Sequence, residues 1–93
     1  MVDKEEIQQA VESRDEKKIF FLFCRIADAC GYKKHRMYED WRQEAVLRAF
    51  KYLPSYTPDR GKAWSYFYKI IHMQLMYEYR RFKTLKKFNG MIS

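Results

Sequence analysis

The 93-residue chain is long enough for one small domain and too short for two. Its 47% hydrophobic content excludes wholesale disorder, and only 3 Gly and 2 Pro point to long helices. Formal net charge is +7 and unevenly placed: 11 Lys/Arg against 10 Asp/Glu over residues 1–58, then 8 against 2 over residues 59–93. That concentration predicts an anionic partner for the C-terminal part, nucleic acid first, with a solvated basic tail as the plainer reading. Cys24 and Cys30 are six apart with no CxxC, and His35 and His72 are remote in sequence. Both cysteines therefore read as small core residues in a reducing compartment, with no metal and no cofactor. No apolar run reaches the ~18 residues a spanning helix needs, and no signal-peptide pattern is present, so a soluble, cytoplasmic protein is expected.

In chain order, Asp3 with Glu6 gives a capping-box-like start to a charged helix, and Ile7, Ala10 and Val11 form its apolar stripe. Residues 1–18 are expected as a charged helical extension. Ile19–Cys30 is the most apolar run. It reads as helix because no second strand candidate exists, with Phe20, Phe23, Ile26 (or Ala27) and Cys30 inward, Arg25 and Asp28 outward, and Gly31 closing it. After a basic, aromatic linker, Glu39 and Asp40 suit the positive end of a third helix. Trp41, Ala45, Ala49 (or Phe50) and Leu53 define its buried stripe, Asp40, Gln43, Glu44, Arg48 and Lys51 its polar side, and Pro54 its end.

The segment PSYTPDRG reads as a loop. From Ala63 to about Lys86 a long helix is predicted, with Trp64, Tyr68, Ile71, Leu75, Tyr79 (or Glu78) and Phe82 toward the core. Its other side carries Tyr66, Lys69, Met73, Tyr77 and Arg80. Residues 87–93 read as a flexible tail. Residues 19–86 are thus expected to form an all-α domain of three or four helices.

No catalytic pattern stands out: there is no Gly-rich phosphate loop, nucleophile motif or ligand spacing. Asp40 and Glu44 lie one turn apart, but with Arg36, Arg42 and Arg48 nearby they read as an ionic face rather than as paired catalytic carboxylates. A non-enzymatic protein is expected. The long helix does carry both ingredients of single-strand binding, cations to follow phosphates and rings to stack on bases. Packing of the same tyrosines on the first helices is an equal alternative from periodicity alone.

The Asp40–Arg81 stretch resembles conserved region 2 of bacterial RNA polymerase sigma factors. Asp40, Gln43 and Glu44 match the D-x-x-Q-E signature. Leu47-Arg48-Ala49, Pro58-Asp59-Arg60-Gly61, Tyr68-Lys69-Ile70 and Glu78-Tyr79-Arg80-Arg81 follow in the family's order and spacing. The WRQE form is similar to the late-promoter sigma factors of tailed bacteriophages. The resemblance implies that Asp40, Gln43, Glu44 and Arg48 contact the clamp helices of the polymerase core, with Trp41 split between the protein's own core and that interface. It also implies that the connector and long helix engage the non-template strand of an AT-rich minus-ten element. Tyr66 aligns with a base-contacting aromatic, and Lys69, His72, Met73, Arg80 and Arg81 with upstream-edge and backbone contacts; Arg60 and Lys62 are counted with them. Lys69-Ile70 stand where housekeeping sigmas carry a Trp pair, so Ser55, Tyr56 and Thr57 become candidates for holding a flipped base.

The sequence contains no region 4, which implies a separate co-activator or minus-thirty-five-binding partner, or a longer parent chain. Two other readings are open: a sigma-mimicking phage regulator of host polymerase that does not read DNA, and a free-standing nucleic-acid-binding helical module.

Overall fold

Aspartates open the first two helices. Asp3 accepts the Glu5 N–H at 2.9 Å and starts α1 (Lys4–Ser13), and Asp15 accepts the Lys18 N–H at 3.3 Å and starts α2 (Glu16–Ala29). The computed structural model describes residues 3–92, with side chains described as far as Leu85. Two further helices, α3 (Tyr38–Tyr52) and α4 (Ala63–Ile92), are joined by a connector containing two 3-10 turns, Leu53–Ser55 and Pro58–Arg60. Among the described residues there is no strand, so the all-helical class is as expected. No helix there is long and apolar enough to cross a membrane.

The turn between α1 and α2 is only Arg14 and Asp15. Arg14 sits in the left-handed region at φ 58° and sends its N–H back to the Ala10 and Val11 carbonyls. A non-glycine residue there is strained by about 1 kcal/mol, and the pairing of the two helices maintains it. The capping box is not formed: Glu6 lies 3.9 Å from Lys18 in an exposed ion pair that contributes little. At the other end of α2, Gly31 at φ +97° follows the last turn, where a left-handed residue was expected.

All four helices share one core. Ile7, Ala10 and Val11 of α1 bury alongside Ile19, Leu22, Phe23, Ile26 and Ala27 of α2, Trp41, Ala45, Val46 and Ala49 of α3, and Ala63, Phe67, Ile71 and Leu75 of α4. The core thus includes the apolar stripe of α1. Phe20 departs from the expected stripe: it is 53% exposed and stacks on Phe50 with centroids 6.3 Å apart, while Ile19 and Leu22 take the inward positions. Cys24 and Cys30 lie half-buried at the core's edge, and burial pushes the Cys30 thiol up to about 11. Neither is an activated nucleophile.

In α4 the buried stripe is Ala63, Phe67, Ile71 and Leu75, at steps of four. Trp64 and Tyr68, expected inward, are half-buried one position around the helix. The Trp64 Nε1 is hidden from solvent without a hydrogen-bond partner. The helix continues to Ile92, past the expected end at Lys86, so the tail expected over 87–93 falls on residues whose side chains lie outside the described set.

Asp28, expected outside, links α2 to α3. The buried Tyr38 donates its hydroxyl to Asp28 at 2.6 Å, and Arg42 lies 3.7 Å from the same carboxylate. Burial first, and then this hydrogen bond, raise the Tyr38 pKa above its ordinary value. Tyr38→Phe should cost about 1–2 kcal/mol and lower Tm by roughly 5–10 °C, read by circular dichroism. Because the folded pKa is raised, the stabilisation is complete below about pH 10 and lost above it, so the gap between wild type and variant should narrow in alkali.

Candidate functional site

The outer face of α3 is held in place from behind. Ala45, Val46 and Ala49 press the helix onto the core, and small residues there let the backbone approach closely. His35 serves the start of the helix, its Nδ1 accepting the Met37 N–H at 3.1 Å. On the far side Asp40, Gln43, Glu44 and Arg48 are all exposed. None makes an ion pair or side-chain hydrogen bond among the described residues, so their polar groups are free for a partner. Arg48 lies over the Tyr52 ring at 5.6 Å. Leu47, 56% exposed in the middle of this face, gave no signal beyond its place in the motif.

Trp41 does not belong to that face. It is 4% exposed, stacked on His35 at 4.3 Å and set edge-on against Tyr79 and Phe82 at 6.2 and 5.9 Å. Its ring is a core element, as its place on the expected buried stripe implies, and it faces inward one residue from Asp40.

The connector is held by its own polar groups. Tyr56 is half-buried, its ring 5.1 Å from Tyr66 and 5.5 Å from Phe67, and its hydroxyl donates to the Gly61 carbonyl at 2.7 Å. It is therefore occupied inside the protein, unlike the exposed Ser55 and Thr57 that flank it. The Thr57 hydroxyl donates to the Asp59 carboxylate, and that hydrogen bond holds the Asp59 pKa below its ordinary value. Arg60 and Lys62 point into solvent at the end of the loop.

On α4 the expected outer stripe divides. Lys69, Met73, Tyr77, Arg80 and Arg81 are exposed, with Met73 at 54% and Tyr77 at 56%. Tyr66 is half-buried against Tyr56. His72 lies on a different face, where Trp64, Tyr68 and His72 stack in a column with centroid steps of 4.7 and 5.5 Å and Lys4 caps the Trp64 end at 4.8 Å. The structure thus brings Lys69, Met73, Tyr77 and Arg80 together and sets His72 apart from them.

The α3 and α4 faces adjoin. One depression is lined by Glu44, Leu47, Arg48, Lys51 and Gln74, and a second by Arg48, Met73, Gln74 and Tyr77. Arg48 and Gln74 are common to both, so a partner on α3 and a ligand on α4 would meet there. Chemically the arrangement offers hydrogen-bonding and ionic groups on one helix, and cations beside exposed rings and a thioether on the other. Among the described residues no group of three or more His, Cys, Asp or Glu could hold a metal ion.

No curated protein and no solved structure gives a significant match to the chain. The family model for sigma-70 region 2 matches residues 22–84, from the middle of α2 through α3, the connector and most of α4. That span includes both exposed faces and covers two thirds of the chain, and the protein belongs to the sigma-70 region 2 family.

Proposed function

We propose that the protein is a sigma-type initiation factor that docks on RNA polymerase core through α3 and engages promoter DNA through the connector and α4. The observation that carries this reading is the sorting of exposed groups within the family-matched span. Asp40, Gln43, Glu44 and Arg48 stand unpaired on α3, and Lys69, Met73, Tyr77, Arg80 and Arg81 stand exposed on α4. The first set suits a protein partner; the second suits a strand whose phosphates meet cations while its bases meet rings. With Trp41 inside, the core-binding set is Asp40, Gln43, Glu44 and Arg48. With Tyr56 and His72 engaged internally, the DNA set centres on Ser55, Thr57, Arg60, Lys62 and the α4 face, with Tyr66 at its margin.

The target is an AT-rich minus-ten-like element, opened and held as a non-template strand in the context of the polymerase. The WRQE form supports a late-promoter role in a phage-infected bacterial cell, with a separate co-activator or minus-thirty-five reader. The protein has no chemistry of its own.

In vitro transcription tests this reading. Bacterial core polymerase plus this chain, with and without a candidate co-activator, should give transcripts from AT-rich late-type promoters and none from either component alone. Core binding without promoter-specific transcripts would favour the regulator reading, and salt-sensitive DNA binding without core would favour the free-standing module. Combining Lys69→Ala with Arg80→Ala should lower promoter opening about ten-fold near 0.1 M salt while leaving core affinity within about two-fold. Equal loss of both activities would end the division of roles. These positions test the division better than Tyr66, whose ring also packs against Tyr56.

A further inference from the structure

Gln8 of α1 lies outside the family-matched residues 22–84, yet it reaches the connector and the first turn of α4. Its Oε1 accepts the Ala63 N–H at 2.8 Å, across 55 positions of sequence. A backbone N–H can only donate, so this contact fixes the orientation of the amide. The Nε2 then faces two acceptors, the Tyr56 hydroxyl oxygen at 3.2 Å and the Glu12 carboxylate at 3.1 Å. The Tyr56 hydroxyl in turn donates to the Gly61 carbonyl at 2.7 Å. Gly61 and Ala63 are near neighbours in the chain, so the hydrogen bonds close a circuit around the connector.

Two features make the loop depend on that circuit. Lys62, just before α4, has no acceptor in its side chain, so it cannot serve the unpaired N–H groups that every helix start presents; Gln8 serves one of them from another helix. An open hollow of about 440 Å³ also lies between the α1–α2 turn at Arg14 and Glu16 and the Leu53–Tyr56 segment, so on that flank the apolar packing of the loop is limited to the core-side contacts of Leu53 and the Tyr56 ring.

We infer that Gln8 is a positioning residue for nucleic-acid contact. It holds the connector and the α4 start in the geometry in which Ser55, Thr57 and Arg60 meet the DNA strand. The inference rests on the proposed function and adds to it a role for α1, a helix beyond the family match.

The test uses the full chain bound to bacterial core polymerase. A labelled fork-junction DNA with an AT-rich non-template overhang is the probe, and core affinity and the hydrogen exchange of the Ala63 amide are read in parallel. Gln8→Met keeps the length and helix propensity of the side chain and removes both ends of the circuit. Gln8→Glu keeps an acceptor for Ala63 and loses the donor to Tyr56. Gln8→Met should weaken fork-junction binding about five- to ten-fold and speed Ala63 exchange, with core affinity held within about two-fold. Gln8→Glu should fall between it and wild type. Unchanged fork-junction binding by Gln8→Met, or parallel loss of core and DNA affinity, overturns the inference. A wild-type complex that does not bind the fork junction defeats the proposed function itself, and that outcome is read on wild type alone.

Discussion

Phe67→Ala should be the most damaging single substitution among the described residues, costing about 3–5 kcal/mol. Phe67 is fully buried and central: its ring lies 4.9 Å from Phe23 of α2 and 5.5 Å from Tyr56 of the connector. Truncation opens a cavity where α2, α4 and the connector meet, and neighbours fixed by the helices cannot fill it. A chain of this size has only about 5–14 kcal/mol of total stability, so the loss is a large fraction of it. A thermal melt followed by circular dichroism should show Tm lower by at least about 12 °C. A fall of less than about 4 °C would mean that Phe67 does not anchor α4. Tyr68→Ala, one position away and half-buried, should cost less, and comparing the two variants tests which stripe faces the core.

Changing Gln43 and Glu44 together to alanine should have the opposite profile, with the fold intact and the partner lost. Both side chains are exposed and unpaired, so stability should move by no more than about 0.5 kcal/mol. Interface residues that carry binding are worth about 2–4 kcal/mol when truncated, which corresponds to a roughly 30- to 1,000-fold loss of affinity for core polymerase. Quantitative pull-down of core enzyme beside a helicity measurement reads both quantities. Retained core affinity would remove α3 from the interface and with it the proposed function.

The helical class and the α3 stripe were legible in the sequence for a physical reason. In α3 small apolar and charged residues alternate at helical spacing, so only one phase buries Trp41, Ala45 and Ala49 and leaves Asp40, Gln43, Glu44 and Arg48 wet. The α4 sequence lacks that contrast: Trp64, Phe67, Tyr68, Ile70 and Ile71 cover nearly half the helix circumference, and Tyr66, Met73 and Met76 carry apolar groups most of the way round the rest. Periodicity then allows several phases, and the choice of Phe67 over Trp64 is made by α2 and the connector, which present Phe23 and Tyr56. Phe20 was misplaced for a related reason, since adjacent Phe20, Phe21 and Phe23 cannot all face one way. Trp41 illustrates a different limit. A motif position suggests a partner contact, but a large ring beside His35, Tyr79 and Phe82 gains more from burial. Gln8 was invisible because a glutamine on a charged helix carries no pattern of its own; its role exists only once 55 residues of chain have folded back to it.

The placement of the two tryptophans has an optical consequence. In the first turn of α3, Trp41 is enclosed beside an imidazole and against Tyr79 and Phe82 of α4, whereas Trp64 sits at the start of α4 under the Lys4 ammonium. Their emission therefore reports on different regions, one behind the α3 face and one beside the connector. A single-tryptophan variant keeping Trp64, made by Trp41→Phe, would register movement of the loop with little signal from α3. The complementary Trp64→Phe would register strain behind the α3 face. A DNA strand, which does not emit in the tryptophan band, could then be added and its effect at the two sites separated in real time, with no external label on a small protein.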